Sequence, residues 1–274
     1  VDPQNTLVLS ELPATAGIAP APHEIGLTGH RGPARRRNLV IVRADENSLH
    51  PQWDRNIPDL ERNWDVCVSF YGKDEDFSRA DFVQYHVHQH EKRKYPSIFE
   101  LLTADRLWDY DFFMIIDDDV MLSWLDLNVA FEVCREHRLD LAQPSLTPDS
   151  FWSHALTVQQ PGLLLRFVGY VEGMAAIFSK EALRTCLPTF ERSQFGWGID
   201  VLWPLLLGRS DSRVAVIDRV AIRHTRPVGA TYDGGVAKVE GDRFLEEYGC
   251  RTRYIELGSL RGSTIAWGSP QVGP

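Results

Sequence analysis

Five apolar residues, Phe112 to Ile116, run without a break into three aspartates, Asp117, Asp118 and Asp119. An unbroken apolar run of this length reads as a strand covered on both faces. Three adjacent carboxylates at its end are costly, because like charges repel and partial burial adds to the penalty. A divalent cation removes that penalty, and carboxylate oxygens suit Mg2+ or Mn2+. In an extended segment Asp117 and Asp119 point the same way while Asp118 points elsewhere, so the first and third are the natural ion ligands. The competing expectation is an acidic loop that caps a helix starting near Ser123. On site chemistry alone the two stand level.

The other apolar runs place this strand in a larger sheet. Leu39 to Val42, within NLVIVRAD, and WDVCVSFYG at residues 64–72 have the same two-face character. Helical spacing follows between Glu91 and Leu107, carried by Ile98, Leu101 and Leu102, and again at Leu125, Val129 and Val133. A strand is expected around Asp140 to Gln143, ended by Pro144. GYVEGMAAIFSK predicts a strand leading to a helix near Glu181 to Cys186, VLWPLLLG a helix at its start, and residues 213–224 another strand. Strands alternating with helices imply an α/β fold with a mainly parallel sheet, whose ligands sit at the carboxyl ends of the strands. The aspartates lie at such an end. Residues 1–37, rich in Pro, Ala and Gly, read as an arm or linker, and from about Gly258 a loose tail is expected.

With 43% hydrophobic and 24% charged residues over 274 positions, the chain can bury a substantial core. A net charge of −9, with no dense basic tract beyond Arg35, Arg36 and Arg37, argues against nucleic acid as a partner. Cys67, Cys134, Cys186 and Cys250 are widely spaced without a C-x-x-C, which suggests neither a disulfide framework nor a zinc site and favours a reducing compartment. No stretch reaches the roughly 18 apolar residues of a membrane span. The chain starts at Val1 rather than Met, so excision from a longer polypeptide is expected. The compartment stays open: cytoplasmic or membrane-peripheral in a bacterium, or a Golgi lumen for an anchored eukaryotic protein.

Several other residues bear chemistry. His224, in RHTRPVG, could join the carboxylates and shift ion preference towards Mn2+, while Arg223 and Arg226 offer donors for a phosphate. A strand-end histidine bonded to backbone is the blander alternative. In GWGID, Gly196 and Gly198 permit a bend, Trp197 presents a flat face for a sugar ring, and Asp200 is either a helix cap or a general base. Glu172, among small and apolar residues, is either functional or bonded to a neighbour. It ranks behind Asp200 as base and ahead of it as a ligand of donor-sugar hydroxyls. His86, His88 and His90 would share one strand face, but the basic Lys92, Arg93 and Lys94 disfavour a cation there. Lys94 is the better candidate, as a donor to a nucleotide or diphosphate.

Taken together, YDFFMIIDDDV, LAQPSLTPDSFWSH, VGYVEGMAAIFSKEAL, FGWGID and VAVIDRVAIRHTRPVG resemble a plant-rich family. It was once labelled lysine-ketoglutarate reductase trans-splicing related and is regarded as glycosyltransferase-like. The resemblance spans about residues 94 to 229 and fades before Lys94. It implies a GT-A fold in one catalytic domain, residues 38–258, with an arm at 1–37 and a flexible tail at 259–274. It further implies Asp117, Asp119 and His224 on Mn2+ or Mg2+, and a nucleotide-diphosphate sugar as donor. Lys94, Asp117, Asp118, Arg223, Arg226, Trp197 and Gly198 would lie against that donor, Asp117 acting partly through water or the ribose. The acceptor would be a hydroxyl of a glycan or other molecule, attacked with inversion and with Asp200 as base; if Asp200 instead holds the acceptor or donor sugar, a retaining outcome survives. Outside the resemblance, fold order alone places the nucleotide-base pocket around Val42 to Asp45 and Phe70 to Gly72. Two other classes share the clustered residues. One is a metal-dependent phosphohydrolase or nucleotidyltransferase; the other is a non-catalytic carbohydrate-binding module with Trp152, Trp197 and Trp203 as its platform.

Overall fold

The structure is a computed structural model that describes residues 27–29, 36–53, 61–73, 83–89, 93–103, 105–208, 212–230, 232–251 and 254–262. Its strands are β1 (Thr28–Gly29), β2 (Asn38–Ala44), β3 (Trp64–Phe70), β4 (Tyr85–His88), β5 (Phe112–Asp117), β6 (Val120–Met121), β7 (Leu141–Leu146), β8 (Leu163–Val168), β9 (Ala175–Ser179), β10 (Val214–His224) and β11 (Glu256–Arg261). The helices are α1 (Lys94–Leu101), α2 (Trp124–Glu136), α3 (Lys180–Cys186), α4 (Pro188–Arg192), α5 (Ile199–Leu206) and α6 (Gly234–Glu247). One mixed sheet runs in the order β1-β4-β3-β2-β5-β9-β7-β10-β8-β11, with β6 paired to β10. β4, β3, β2 and β5 are mutually parallel, and so are β7 and β10. Because β9 is antiparallel to both β5 and β7, those two parallel sets point the same way. The carboxyl ends of β5 and β10 therefore open on one edge.

Both faces of the central strands are apolar because both are covered. Leu39, Ile41, Phe113 and Ile115 enter a core closed by Ile98 and Leu101 of α1, Leu183 of α3, Phe190 of α4, Leu202 of α5 and Phe244 of α6. Val40, Val42, Met114 and Ile116 face the other core, closed by α2. That helix forms where expected and buries Val133 as expected, but its central row is Leu127, Ala130, Phe131 and Cys134, at i, i+3, i+4, i+7. Leu125, read from the sequence as part of the stripe, is 52% exposed. Ser123 caps α2 through a reciprocal box with Asp126. The aspartates before it are thus not needed as caps.

Two boundaries differ from the sequence reading. β7 continues through Pro144 to Leu146, because β9 pairs only with Leu141 and Ala142, and beyond them one side of β7 is free of a ladder. The sheet also continues past residue 258, since Ser259, Leu260 and Arg261 pair with β8, and it takes in Thr28 and Gly29, paired with β4. Among the described residues no helix is long and apolar enough to cross a membrane.

β10 carries the architecture of the site edge. Its register against β7 shifts between Ile217 and Ala221, and the bulge turns Asp218 towards Arg166 of β8. That ion pair is almost fully buried, with side chains 1% and 0% exposed, and it is fully bonded. Arg166 Nε lies 2.8 Å from Asp218 Oδ2, and its Nη atoms donate to the Leu156 and Val158 carbonyls at 2.8 Å each. Leaving either charge alone in the core costs far more than removing both. Asp218→Ala is therefore expected to lower unfolding free energy in urea by about 3–5 kcal/mol. Arg166→Met combined with Asp218→Leu should recover most of it. A double variant no better than Asp218→Ala contradicts this view of the pair.

Candidate metal and sugar-nucleotide site

The carboxylates and the histidine are brought together by a two-residue ladder. After Asp117 ends β5, the chain turns at Asp118 and Asp119, and β6 pairs antiparallel with the end of β10, Val120 against His224 and Met121 against Arg223. Fully buried Val120 anchors the ladder, and its carbonyl accepts from Trp53 Nε1 at 3.0 Å. One residue further, the Thr225 amide and hydroxyl both donate to the Asp119 carbonyl, at 3.0 and 2.7 Å. His224 Nε2 consequently sits 3.4 Å from Asp119 Oδ1.

Its other nitrogen fixes what Nε2 can do. His224 Nδ1 lies 2.7 Å from the Phe151 carbonyl. A carbonyl only accepts, so Nδ1 carries the hydrogen and the neutral ring turns a lone pair towards Asp119. Asp119 Oδ1 is buried and has no hydrogen-bond donor. A lone pair facing a carboxylate oxygen at this distance needs a positive charge, supplied by protonation or by a cation. Burial favours the neutral imidazole, but Asp119 outweighs it and raises the His224 pKa; Asp119 itself, penalised by burial, is held low by His224 and Arg226. One donor atom each from Asp117, Asp119 and His224 lie within 4.8 Å of one another, the single such group among the described residues. Two carboxylates, one imidazole with its tautomer set by a carbonyl, and an orphaned oxygen between them fit a divalent ion of the Mn2+ or Mg2+ kind.

The remaining aspartate and the nearby cations divide around the turn, which replaces the extended segment expected from the sequence. Asp118 turns to the opposite side, where its Oδ2 meets the Asp45 amide at 3.3 Å and the Tyr71 hydroxyl at 3.4 Å. Burial pushes its pKa up to about 6, against the pull of Arg226. Arg226 bridges the two clusters, with Nε 2.9 Å from Asp119 Oδ2 and Nη2 on Asp118. Lys94, the first residue of α1, reaches Asp117 Oδ1 at 2.6 Å and the Gly173 carbonyl at 2.9 Å. Arg223 does not join them. On β10 it points away from His224 and pairs with Asp149 at 2.9 Å on the exposed side.

A second group of carboxyls lies alongside. Gly196 and Gly198 both have φ +85°, and a Cβ at Gly198 would come 2.8 Å from the Gly241 carbonyl, so the turn needs glycine there. Gly198 is the N-cap of α5, which places Asp200 inside the first turn rather than at the cap. Its Oδ1 accepts from the Val201 amide at 3.0 Å and its Oδ2 from the Tyr170 hydroxyl at 2.9 Å. Burial nevertheless pushes Asp200 up to about 6. Glu172, 8% exposed, is pushed up to about 7 by burial and by Asp200, opposed by His224 and by the Ser153 amide and Thr157 hydroxyl. Tyr95 and Tyr232, raised chiefly by burial, each feel both Asp117 and Asp200, so these two tyrosines link the groups. Trp197 Nε1 donates to the Tyr232 hydroxyl at 3.0 Å.

Tyr95, Tyr170 and Tyr232 carried no role in the sequence reading. Tyr170 stands two positions before Glu172, a spacing that could have flagged it; nothing local marks Tyr232. The imagined three-tryptophan platform does not exist, because Trp203 is fully buried among Phe178, Phe190 and Tyr95. His86 and His88 share a face of β4 with ring centroids 6.3 Å apart, while His90 and Lys92 lie outside the described residues.

No family model matches the chain, and no curated protein matches it. The resemblance read from five sequence segments thus gains no support at the level of the named family. Solved structures do match. Glucosyl-3-phosphoglycerate synthase from Mycobacterium tuberculosis, in complex with Mn2+, UDP-glucose and phosphoglyceric acid, superposes with a TM-score of 0.50 at 15% identity, covering 79% of this chain and 81% of that one. S. aureus TarS 1-349 with UDP gives 0.47 at 14% identity, over 77% and 71%. S. aureus TarS gives 0.45 at 12% identity, and there the match covers 79% of this chain but only 44% of the longer TarS chain. The synthase likeness shows the fold, which is GT-A, as the sequence led one to expect.

The raised Glu172 pKa has a stability consequence whose sign follows from linkage. The folded chain holds the Glu172 proton more tightly than the unfolded chain, so its favourable contribution is complete in acid and is lost as pH rises through about 7. In chelator, Glu172→Gln should raise unfolding free energy at pH 8 by about 3 kcal/mol and change it little at pH 4. Urea titrations at both pH values test this; a variant less stable at pH 8 shows that the charged form is well paired.

Proposed function

We propose that the chain is a metal-dependent glycosyltransferase that moves a sugar from a nucleotide-diphosphate sugar to a hydroxyl of a glycan or other acceptor. The observation that carries this is the meeting of Asp117, Asp119 and His224 within 4.8 Å at the carboxyl edge of a GT-A sheet. A synthase of the same fold holds Mn2+ and UDP-glucose, and the motif resemblance points to the same chemistry. Asp117, Asp119 and His224 would hold Mn2+ or Mg2+. When bound, such an ion supplies positive charge against the leaving diphosphate.

The chain's own residues supply the rest. Lys94 and Arg226 already reach the aspartates, and both can turn donors to phosphate oxygens. Trp197 offers the sugar a flat face, and Gly198 lets the backbone come close. Asp200 takes the acceptor proton: the acceptor oxygen bonds to the anomeric carbon, the bond from that carbon to the diphosphate breaks, and the diphosphate leaves with the electron pair. Attack opposite the leaving group gives inversion. With its pKa near 6, Asp200 is a better base than an ordinary carboxylate and is still ionised at neutral pH. Glu172, beside it, bonds a donor-sugar hydroxyl.

Nucleoside diphosphates titrated into the protein with and without Mn2+ test the reading. One of them at a hundred times its dissociation constant should raise Tm by about 5–10 °C, only with Mn2+. Asp119→Asn should abolish the rise, and transfer should fall away below about pH 6 as Asp200 is protonated. Hydrolysis of simple phosphate esters without sugar transfer would instead establish a phosphohydrolase.

A further inference from the structure

The loop after β7 runs beneath both groups of carboxyls, and successive residues in it are tied to different members. Phe151 is bonded to His224 twice: its amide donates to the His224 carbonyl at 3.1 Å, and its own carbonyl accepts from Nδ1 at 2.7 Å. The Ser153 amide faces Glu172. The His154 ring packs edge-on against Tyr170 at 5.0 Å and stacks on Tyr254 at 4.2 Å. Tyr170 in turn holds Asp200. Trp152 sits between these anchors, so its place relative to the reacting groups is set from both sides.

Phe151 and Trp152 are 47% and 45% exposed, whereas Trp53, Trp64 and Trp203 are essentially buried. Leaving a large aromatic ring half in water forgoes part of the stabilisation that burial would contribute. A stiff, exposed indole whose chain neighbours bond the site suits the apolar face of a pyranose ring. The charges nearby select among acceptors. Among the described residues this loop meets His224 and Glu172 directly and Asp200 through Tyr170; Arg223 is engaged by the loop's own Asp149, and Lys94 and Arg226 lie on Asp117, Asp118 and Asp119, where the donor diphosphate would take them. Among these described residues, an anionic acceptor would meet Glu172 and Asp200 with each nearby cation already committed. A neutral polyhydroxylated one meets hydrogen-bond acceptors.

We propose that Trp152, with Phe151 beside it, is the acceptor platform, and that the acceptor is a neutral sugar chain. One ring stacks on the indole and turns a hydroxyl towards Asp200. This rests on the glycosyltransferase reading and narrows it. The acceptor side then differs from that of the M. tuberculosis synthase, whose complex contains phosphoglyceric acid, an anion.

The test uses the whole chain with Mn2+ and the nucleoside diphosphate that stabilises it. Tetrasaccharides of β-1,4-linked glucose, xylose, mannose and galactose, and separately 3-phosphoglycerate, are titrated by calorimetry and indole fluorescence. At least one tetrasaccharide should bind. Trp152→Ala should weaken it by about tenfold or more, and Trp152→Phe should restore part, with nucleotide affinity unchanged in both. Tighter binding of 3-phosphoglycerate than of every tetrasaccharide overturns the proposal. So does the absence of any tetrasaccharide binding, or binding that survives Trp152→Ala. Failure of the unaltered protein to bind any nucleotide with Mn2+ removes the underlying glycosyltransferase reading and the platform with it; intact nucleotide binding with lost selectivity removes the platform alone.

Discussion

The site depends on one short ladder, the pairing of Val120 and Met121 with His224 and Arg223. Parallel neighbours in the sheet would not by themselves bring Asp119 to His224, since β5 and β10 are separated in the order by β9 and β7. β6 crosses that gap. Once Val120 is buried opposite His224, the Thr225 bonds to Asp119 follow, and the imidazole has one rotamer that satisfies its Nδ1 at Phe151. The geometry of the three ligating groups is thus a consequence of backbone pairing and not of flexible side chains finding one another.

Electrostatics then defines the chemistry. Asp117, Asp118, Asp119, Glu172 and Asp200 converge on Lys94, Arg226 and His224, and the carboxyls outnumber the fixed cations. Part of the excess is relieved by raised proton affinity at Asp118, Glu172 and Asp200, where burial dominates. Asp119 is the exception, held low by a histidine and an arginine, and it keeps an oxygen without a donor. That combination of low-pKa carboxylate, imidazole and orphaned oxygen suits a divalent ion, while the neighbours with raised pKa suit proton transfer.

Much of this was legible in the sequence because the informative features are local. Phe112 to Asp117 announces a buried strand ending in ligands, and the glycines of GWGID mark a turn that only glycine allows; Asp118 parts from its neighbours through a turn and not through the strand alternation expected. What was not legible is long-range. Arg223 and Arg226 look equivalent beside His224, yet strand alternation sends one to Asp149 and the loop returns the other to the aspartates. Trp203 looks like Trp152 in sequence, but the apolar face of α5 buries the first. Pro144 reads as a stop, and is tolerated because its strand has lost a neighbour. The buried stripe of α2 was displaced because propensity shows a helix without saying which face the sheet will cover. Tyr232 reaches Trp197 only through the packing of the loop before α6.

The most direct measurement is anomalous diffraction at the manganese edge from crystals soaked in Mn2+. A single strong peak is expected within about 2.0–2.3 Å of Asp119 Oδ1 and His224 Nε2, with Asp117 at the same ion directly or through water. Manganese bound elsewhere, with Asp119 and His224 still facing each other at 3.4 Å, would contradict a metal centre at this edge of the sheet.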